Sequence, residues 1–142
     1  MLVIGGIGLL VFIGGFFFAR VQIKEAERKV VATQILGWRA AAESGDPNAQ
    51  NNLGWMLAVS KDAAQRNGKE AVKWATKACV ATGFTNWQHI DTLAAAFAEA
   101  GEFPQAVKYQ QMALDQGKIR VGMPTPERDR LNLYQKGKPF RE

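Results

Sequence analysis

Between Ile90 and Leu114, small and apolar residues recur at Ile90, Leu93, Ala94, Phe97 and Ala98, then at Phe103, Ala106, Val107, Ala113 and Leu114. Intervals of three and four place each set on one face of a helix. Between the sets stands Glu99-Ala100-Gly101-Glu102. Gly101 suits the left-handed residue that ends a helix, and Pro104 suits a first turn, where no amide hydrogen is needed. The pattern predicts an αα-hairpin in which Ala94, Ala106 and Ala113 let two backbones approach, with Phe97 and Tyr109 as large knobs.

The same rhythm occurs once before. EAVKWATKAC (70–79) aligns with QAVKYQQMAL (105–114), pairing Ala71 with Ala106, Trp74 with Tyr109 and Ala78 with Ala113, all 35 residues apart. The preceding helices, NNLGWML (51–57) and IDTLAAAF (90–97), pair Leu53 with Leu93 and Leu57 with Phe97, 40 apart. The difference of five must fall in the first hairpin's turn, SKDAAQRNGKE, which is longer than AGEFP. Periods of this size mark helical-hairpin repeats, and each repeat buries its apolar face only against neighbours, so both ends need a cap. At one end, PTPERDRLNLYQ offers Thr125 as N-cap, Pro126 as a first-turn residue, and Leu131, Leu133 and Tyr134 as apolar contacts. At the other, Val31, Ile35, Trp38 and Ala42 share one face of a preceding helix.

The start of the chain breaks this pattern. Residues 1–19, MLVIGGIGLLVFIGGFFFA, carry no charged side chain. At about 1.5 Å per residue, a helix of that length nearly spans a hydrocarbon core of about 30 Å. A retained transmembrane anchor is the expectation. Its rival, a cleaved secretory signal, needs basic residues ahead of the apolar run and a small-residue cleavage site, and FFFARVQ has one small residue. Arg20, Lys24, Arg28 and Lys29 follow the run directly. The positive-inside rule then puts the repeats in the cytoplasm at an inner membrane, with the periplasmic side as the alternative. Projected at about 100° per residue, Gly5, Gly8, Gly15 and Ala19 share a face. Such a face suits close packing against another membrane helix, although glycine is also simply common in membrane helices.

The residues Leu93-Ala94-x-x-Phe97, Gly101, Ala106, Tyr109 and Ala113 resemble the tetratricopeptide-repeat pattern. The first unit keeps that pattern's Asn52-Leu53-Gly54 but departs from it in its long turn, and WRAAAESGDPNAQNNLGWML (38–57) is similar to the junction between Sel-one-like repeats. The resemblance covers roughly residues 38–118, and the last twenty or so resemble the capping tail that follows such repeats. It implies an all-α fold: an N-terminal transmembrane helix, a short α-solenoid of about two hairpins and a C-terminal capping helix. The expected organisation is an anchor (1–19), a juxtamembrane and first packing helix (20–46), repeats (47–120), and a capping helix with a basic tail (121–142). About function the resemblance implies only that partners are held, because such repeats serve many kinds.

Chemistry changes this picture little. His89 is the sole histidine and has no second ligand at helical spacing, so it reads as a partly exposed helix-face residue rather than a zinc ligand. Cys79 aligns with Leu114 and reads as core; as a lone cysteine it permits no intrachain disulfide. GGIGLL lies within the apolar run and lacks the lysine and hydroxyl residue of a phosphate loop. Asp91 has no evident partner for acid–base work. The expectation is a protein without catalytic residues, metal, cofactor or small-molecule substrate.

The net charge of +5 raises nucleic acid as a partner. Residues 119–142 hold six Lys or Arg against three acids, whereas 87–118 hold two against four. Beside an anionic leaflet, basic residues serve lipid headgroups at about 1 kcal/mol each, and no nucleic-acid motif accompanies them.

What remains is a binding surface. The first helix of each repeat lines the concave face, which here would expose Asn48, Asn51, Asn52 and Trp55, then Gln88, Asp91, Ala95 and Glu99. Asparagine donates and accepts together, which suits the backbone of an extended peptide, and Trp55 would add an apolar anchor. Alternatively the asparagines cap the helix after Asp46-Pro47 and Trp55 packs under the long turn. The expected function is a protein–protein scaffold, an accessory subunit of a larger inner-membrane assembly whose partners are other subunits and the bilayer. The alternatives are a tethered adaptor that captures a soluble partner in the groove and a membrane-linked nucleic-acid-binding regulator.

Overall fold

The computed structural model describes the backbone of residues 5–118 and 124–142, and the side chains of these from Phe17 onward. The described residues form six α-helices and no strand: α1 (Gly5–Glu43), α2 (Pro47–Val59), α3 (Gly68–Ala81), α4 (Trp87–Glu99), α5 (Phe103–Gln116) and α6 (Pro126–Gln135). The chain divides into two compact units, Met1–Gln34 and Ile35–Glu142.

In the first unit residues 5–34 are helical throughout, and Arg20, Lys24, Arg28 and Lys29 are exposed there. Among the described residues no helix is long and apolar enough to cross a membrane. The span expected over 1–19 therefore draws no support from the described side chains. Most of it, with the side chains of Gly5, Gly8 and Gly15, lies outside them, and Ala19 is exposed. The start of the expected capping segment, 121–123, and the end of the repeats, 119–120, also lie outside the described residues.

The second unit is built from two helix pairs. Helix α2 packs on α3 and α4, α4 packs on α5 and α6, and α5 packs on α6. Side-chain caps start the helices where the sequence supplies them. Asp46 accepts from the Asn48 amide at 2.9 Å, Asn67 from Glu70, Asn86 from Gln88, and Thr125 from Arg128. Helix α4 ends at a Schellman turn: the Gly101 amide donates to the Ala98 carbonyl and the Glu102 amide to that of Phe97, with Gly101 at φ 82°. Pro104 stands in the first turn of α5. The turn from α2 to α3 takes eight residues, 60–67, including a 3-10 turn at Ala63–Gln65; that from α4 to α5 takes three, 100–102. The surplus is the five residues that the two repeat offsets demand.

The small residues lie at the helix contacts. Ala71, Ala78, Ala94, Ala106 and Ala113 are all wholly buried. A Cβ on Gly54, the counterpart of Ala94, would come within 3.1 Å of the Ala75 amide nitrogen. Tyr109 stacks on Phe97 with ring centroids 5.4 Å apart. Ile35 and Trp38 at the end of α1 pack on the same core as Leu53 and Leu93. Arg39 forms an ion pair with Glu70 of α3, and that hydrogen bond, against the opposing cost of burial, holds the Glu70 carboxyl below the usual carboxylate range.

Gly68 marks the tightest approach. A Cβ there would stand 2.5 Å from the Ala100 amide nitrogen and 2.7 Å from its Cα, so backbone rather than a flexible side chain would have to move. Gly68→Ala is expected to lose about 1–3 kcal/mol and to lower the melting temperature by roughly 5 °C or more, measured by circular dichroism. An unchanged melting curve would mean that the start of α3 does not press on the end of α4.

Candidate binding face

The residues expected to line a concave face stand on two helices that pack together. Trp55 on α2 and Asp91, Ala95 and Glu99 on α4 recur at the same helical phase, and α2 packs on α4. They do not form an open groove. Asp91 and Ala95 are buried, Trp55 and Glu99 are half-buried, and Asn51 and Asn52 are half-buried beside them. Asn48 and Gln88, near the helix starts, are exposed. The Asn51 side-chain oxygen is buried with no hydrogen-bond partner.

Helix α6 supplies the cover. Arg130 is buried and reaches both oxygens of Asp91, Nη2 at 2.7 Å from Oδ2 and Nε at 3.1 Å from Oδ1. The Gln110 amide of α5 donates to Asp91 Oδ1 at 2.6 Å, and Glu127 accepts from Arg130 at 3.2 Å. Burial raises the Asp91 carboxyl above its ordinary range against the pull of Arg130 and Gln110. Tyr134 lies beside this cluster with its hydroxyl unpartnered, and burial raises its ionisation well above the phenol range. Two charges removed from water persist because they meet in bidentate geometry with further hydrogen bonds.

Residues 138–142 complete the cover. A Schellman turn at Gly137, φ 64°, ends α6, with the Lys138 amide donating to the Leu133 carbonyl. The chain then brings Phe140 to Trp55, ring centroids 6.1 Å apart. The Arg130 guanidinium carbon stands 5.4 Å from the Trp55 centroid and 5.6 Å from that of Phe140. Trp55 Nε1 donates to Glu142 Oε1 at 3.0 Å, and the Glu142 amide donates to the Val59 carbonyl at 3.0 Å. Arg141 pairs with Glu99, which also accepts from Arg66 Nε at 3.2 Å.

His89 is buried rather than partly exposed, with Nδ1 3.3 Å from the Ala78 carbonyl oxygen at the end of α3. Arg130 and Arg141, counted in the sequence as part of a basic tail, spend their charge on Asp91 and Glu99. Cys79 is wholly buried, and desolvation pushes its thiol up to about 12.

Sequence reasoning missed Arg130 and Gln110 as partners of Asp91. Their helical phase was the available signal: Arg130 shares the inward face of α6 with Leu131 and Tyr134, and Gln110 that of α5 with Ala106 and Ala113. Compared with protein-family models, curated proteins and solved structures, the chain finds no match in any of the three.

Proposed function

We propose that this chain is a non-enzymatic scaffold of tetratricopeptide-like hairpins, tethered by its N-terminal segment to an inner membrane and serving as an accessory subunit of a larger assembly there. One observation carries the reading. Of the seven large apolar side chains exposed among the described residues, six lie on α1: Phe17, Phe18, Val21, Ile23, Val30 and Leu36. Phe17 and Phe18 are 70% and 65% exposed. The other five helices expose only Val80. A helix that leaves its large apolar residues uncovered, and continues an uncharged sequence of nineteen residues, has surface to bury in lipid and against other helices. Exposed Arg20, Lys24, Arg28 and Lys29 follow that sequence and favour the cytoplasmic side for the hairpins.

The small-residue face Gly5, Gly8, Gly15 and Ala19 is the proposed contact with a partner's membrane helix. Replacing Gly8 and Gly15 by leucine is expected to strip the partners from the protein during purification in mild detergent. Membrane insertion should persist, because leucine inserts at least as readily as glycine. Leu10→Ala, on another face, should change little. Undiminished co-purification of the same proteins with the double glycine variant would refute the subunit reading.

A further inference from the structure

We infer that the α2–α4 face is a docking site for an extended protein segment in the order aromatic, basic, acidic, and that residues 138–142 are its intramolecular occupant, which a partner must displace. The inference deepens the scaffold reading and rests on the hairpins being a protein-binding unit. It does not involve the anchor.

The receiving groups are organised without the segment. Arg130, which stands against both rings, is held by Asp91 and Glu127. Glu99, which takes Arg141, is held by Arg66, whose guanidinium also donates to the Ser60 carbonyl at 2.7 Å. The Val59 carbonyl belongs to the last turn of α2, where no later helical amide can reach it. When residues 138–142 leave, an apolar ring, a fixed carboxylate and an unpaired carbonyl stay in place. Each matches one element of a segment: a ring, a cation and a backbone amide, with the Trp55 indole N–H for a following carboxylate.

The occupant is held more by side chains than by backbone: the Phe140 ring contact, the Arg141–Glu99 pair and the Trp55–Glu142 bond. It lies outside any helix, Phe140 and Arg141 are half-buried, and Glu142 is exposed. One backbone hydrogen bond joins it to α2. Segments with few buried contacts open at lower cost than the core they cover. The Schellman turn at Gly137, closed by the Lys138 amide, ends α6 ahead of Pro139, so release of the residues that follow leaves that helix intact.

The probe is a fluorescent peptide of residues 136–142, KGKPFRE, titrated by anisotropy into the full-length protein in detergent. Phe140→Ala with Arg141→Ala should empty the face and bind the peptide roughly tenfold or more tighter than the unaltered chain, whose own segment competes. Adding Trp55→Ala should return binding to the weak level, and a peptide with Phe and Glu exchanged should not bind. Equal binding by the altered and unaltered chains would overturn the proposal, as would no binding by a helical variant. Arg141→Gln with Glu142→Gln retains the Phe140 side chain but weakens the contacts with Glu99 and Trp55, and serves with the same expected direction if the first variant loses helicity. Should that milder variant unfold as well, the segment belongs to the folded core and the proposal fails. Neither failure bears on the glycine-face test, which reads the anchor alone.

Discussion

Arg130→Met lowers the melting temperature of the hairpin unit by more than roughly 10 °C, the equivalent of about 3–5 kcal/mol for breaking a buried ion pair. The side chain is buried against Asp91, itself buried, and methionine would leave that carboxylate with Gln110 as its remaining donor. It would also remove the guanidinium that stands against both Trp55 and Phe140. Joining Asp91→Leu to Arg130→Met should recover part of the loss, because an apolar pair of similar volume needs no charge compensation. The readout is thermal unfolding of both single variants and the double variant. A wild-type melting temperature for Arg130→Met alone would mean that α6 is not fastened through this pair.

Ala94→Trp unfolds or loosens the second unit. Ala94 is wholly buried, and its counterpart Gly54 stands so close to α3 that a single Cβ would meet the Ala75 backbone. An indole adds far more volume than a methyl at a wholly buried site, and overpacking costs about 1–3 kcal/mol for much smaller additions. The expected result is loss of cooperative melting, or a midpoint more than roughly 10 °C lower. Ala40→Trp, at an exposed position on α1, is the control and should melt as wild type. If Ala94→Trp does the same, the close pairing of helices described here is wrong.

Both variants touch the face that the C-terminal residues cover, but in different ways. Arg130 is part of that face, so its loss weakens docking as well as stability. Ala94 acts through the hairpin on which the face is built. Binding of the KGKPFRE peptide, measured beside melting, separates the two effects.

Much of the fold was legible because local rules decide it. The spacing of Leu53, Leu57, Leu93 and Phe97 marks helix faces by geometry alone. Gly101 before Glu102 and Pro104 place a turn through backbone sterics that act within a few residues, and the turn stands where they require it. The two offsets, 35 and 40, locate five extra residues in one turn by counting. Thr125 and Pro126 start α6 for the same local reasons.

The state of the α2–α4 face was not legible. Helical phase put Trp55, Asp91 and Glu99 in one row, but phase says which residues share a side, not what lies against it. Whether Asp91 faces solvent or Arg130 depends on residues 39 positions apart meeting in space. Whether Trp55 waits for a partner or holds Glu142 depends on a contact 87 positions long. Charge counting failed for the same reason: it tallied Arg130 and Arg141 as a basic tail, where tertiary packing turns them inward to acids on α4. By itself the sequence determined the helix faces, the turn at Gly101, the Thr125 cap and the spacing of the two hairpins, since these rest on forces acting over one or two turns. Only the tertiary structure decided that the face between the hairpins is filled by the chain's own residues 138–142, because ion pairs and ring contacts between distant segments form only once packing brings them together.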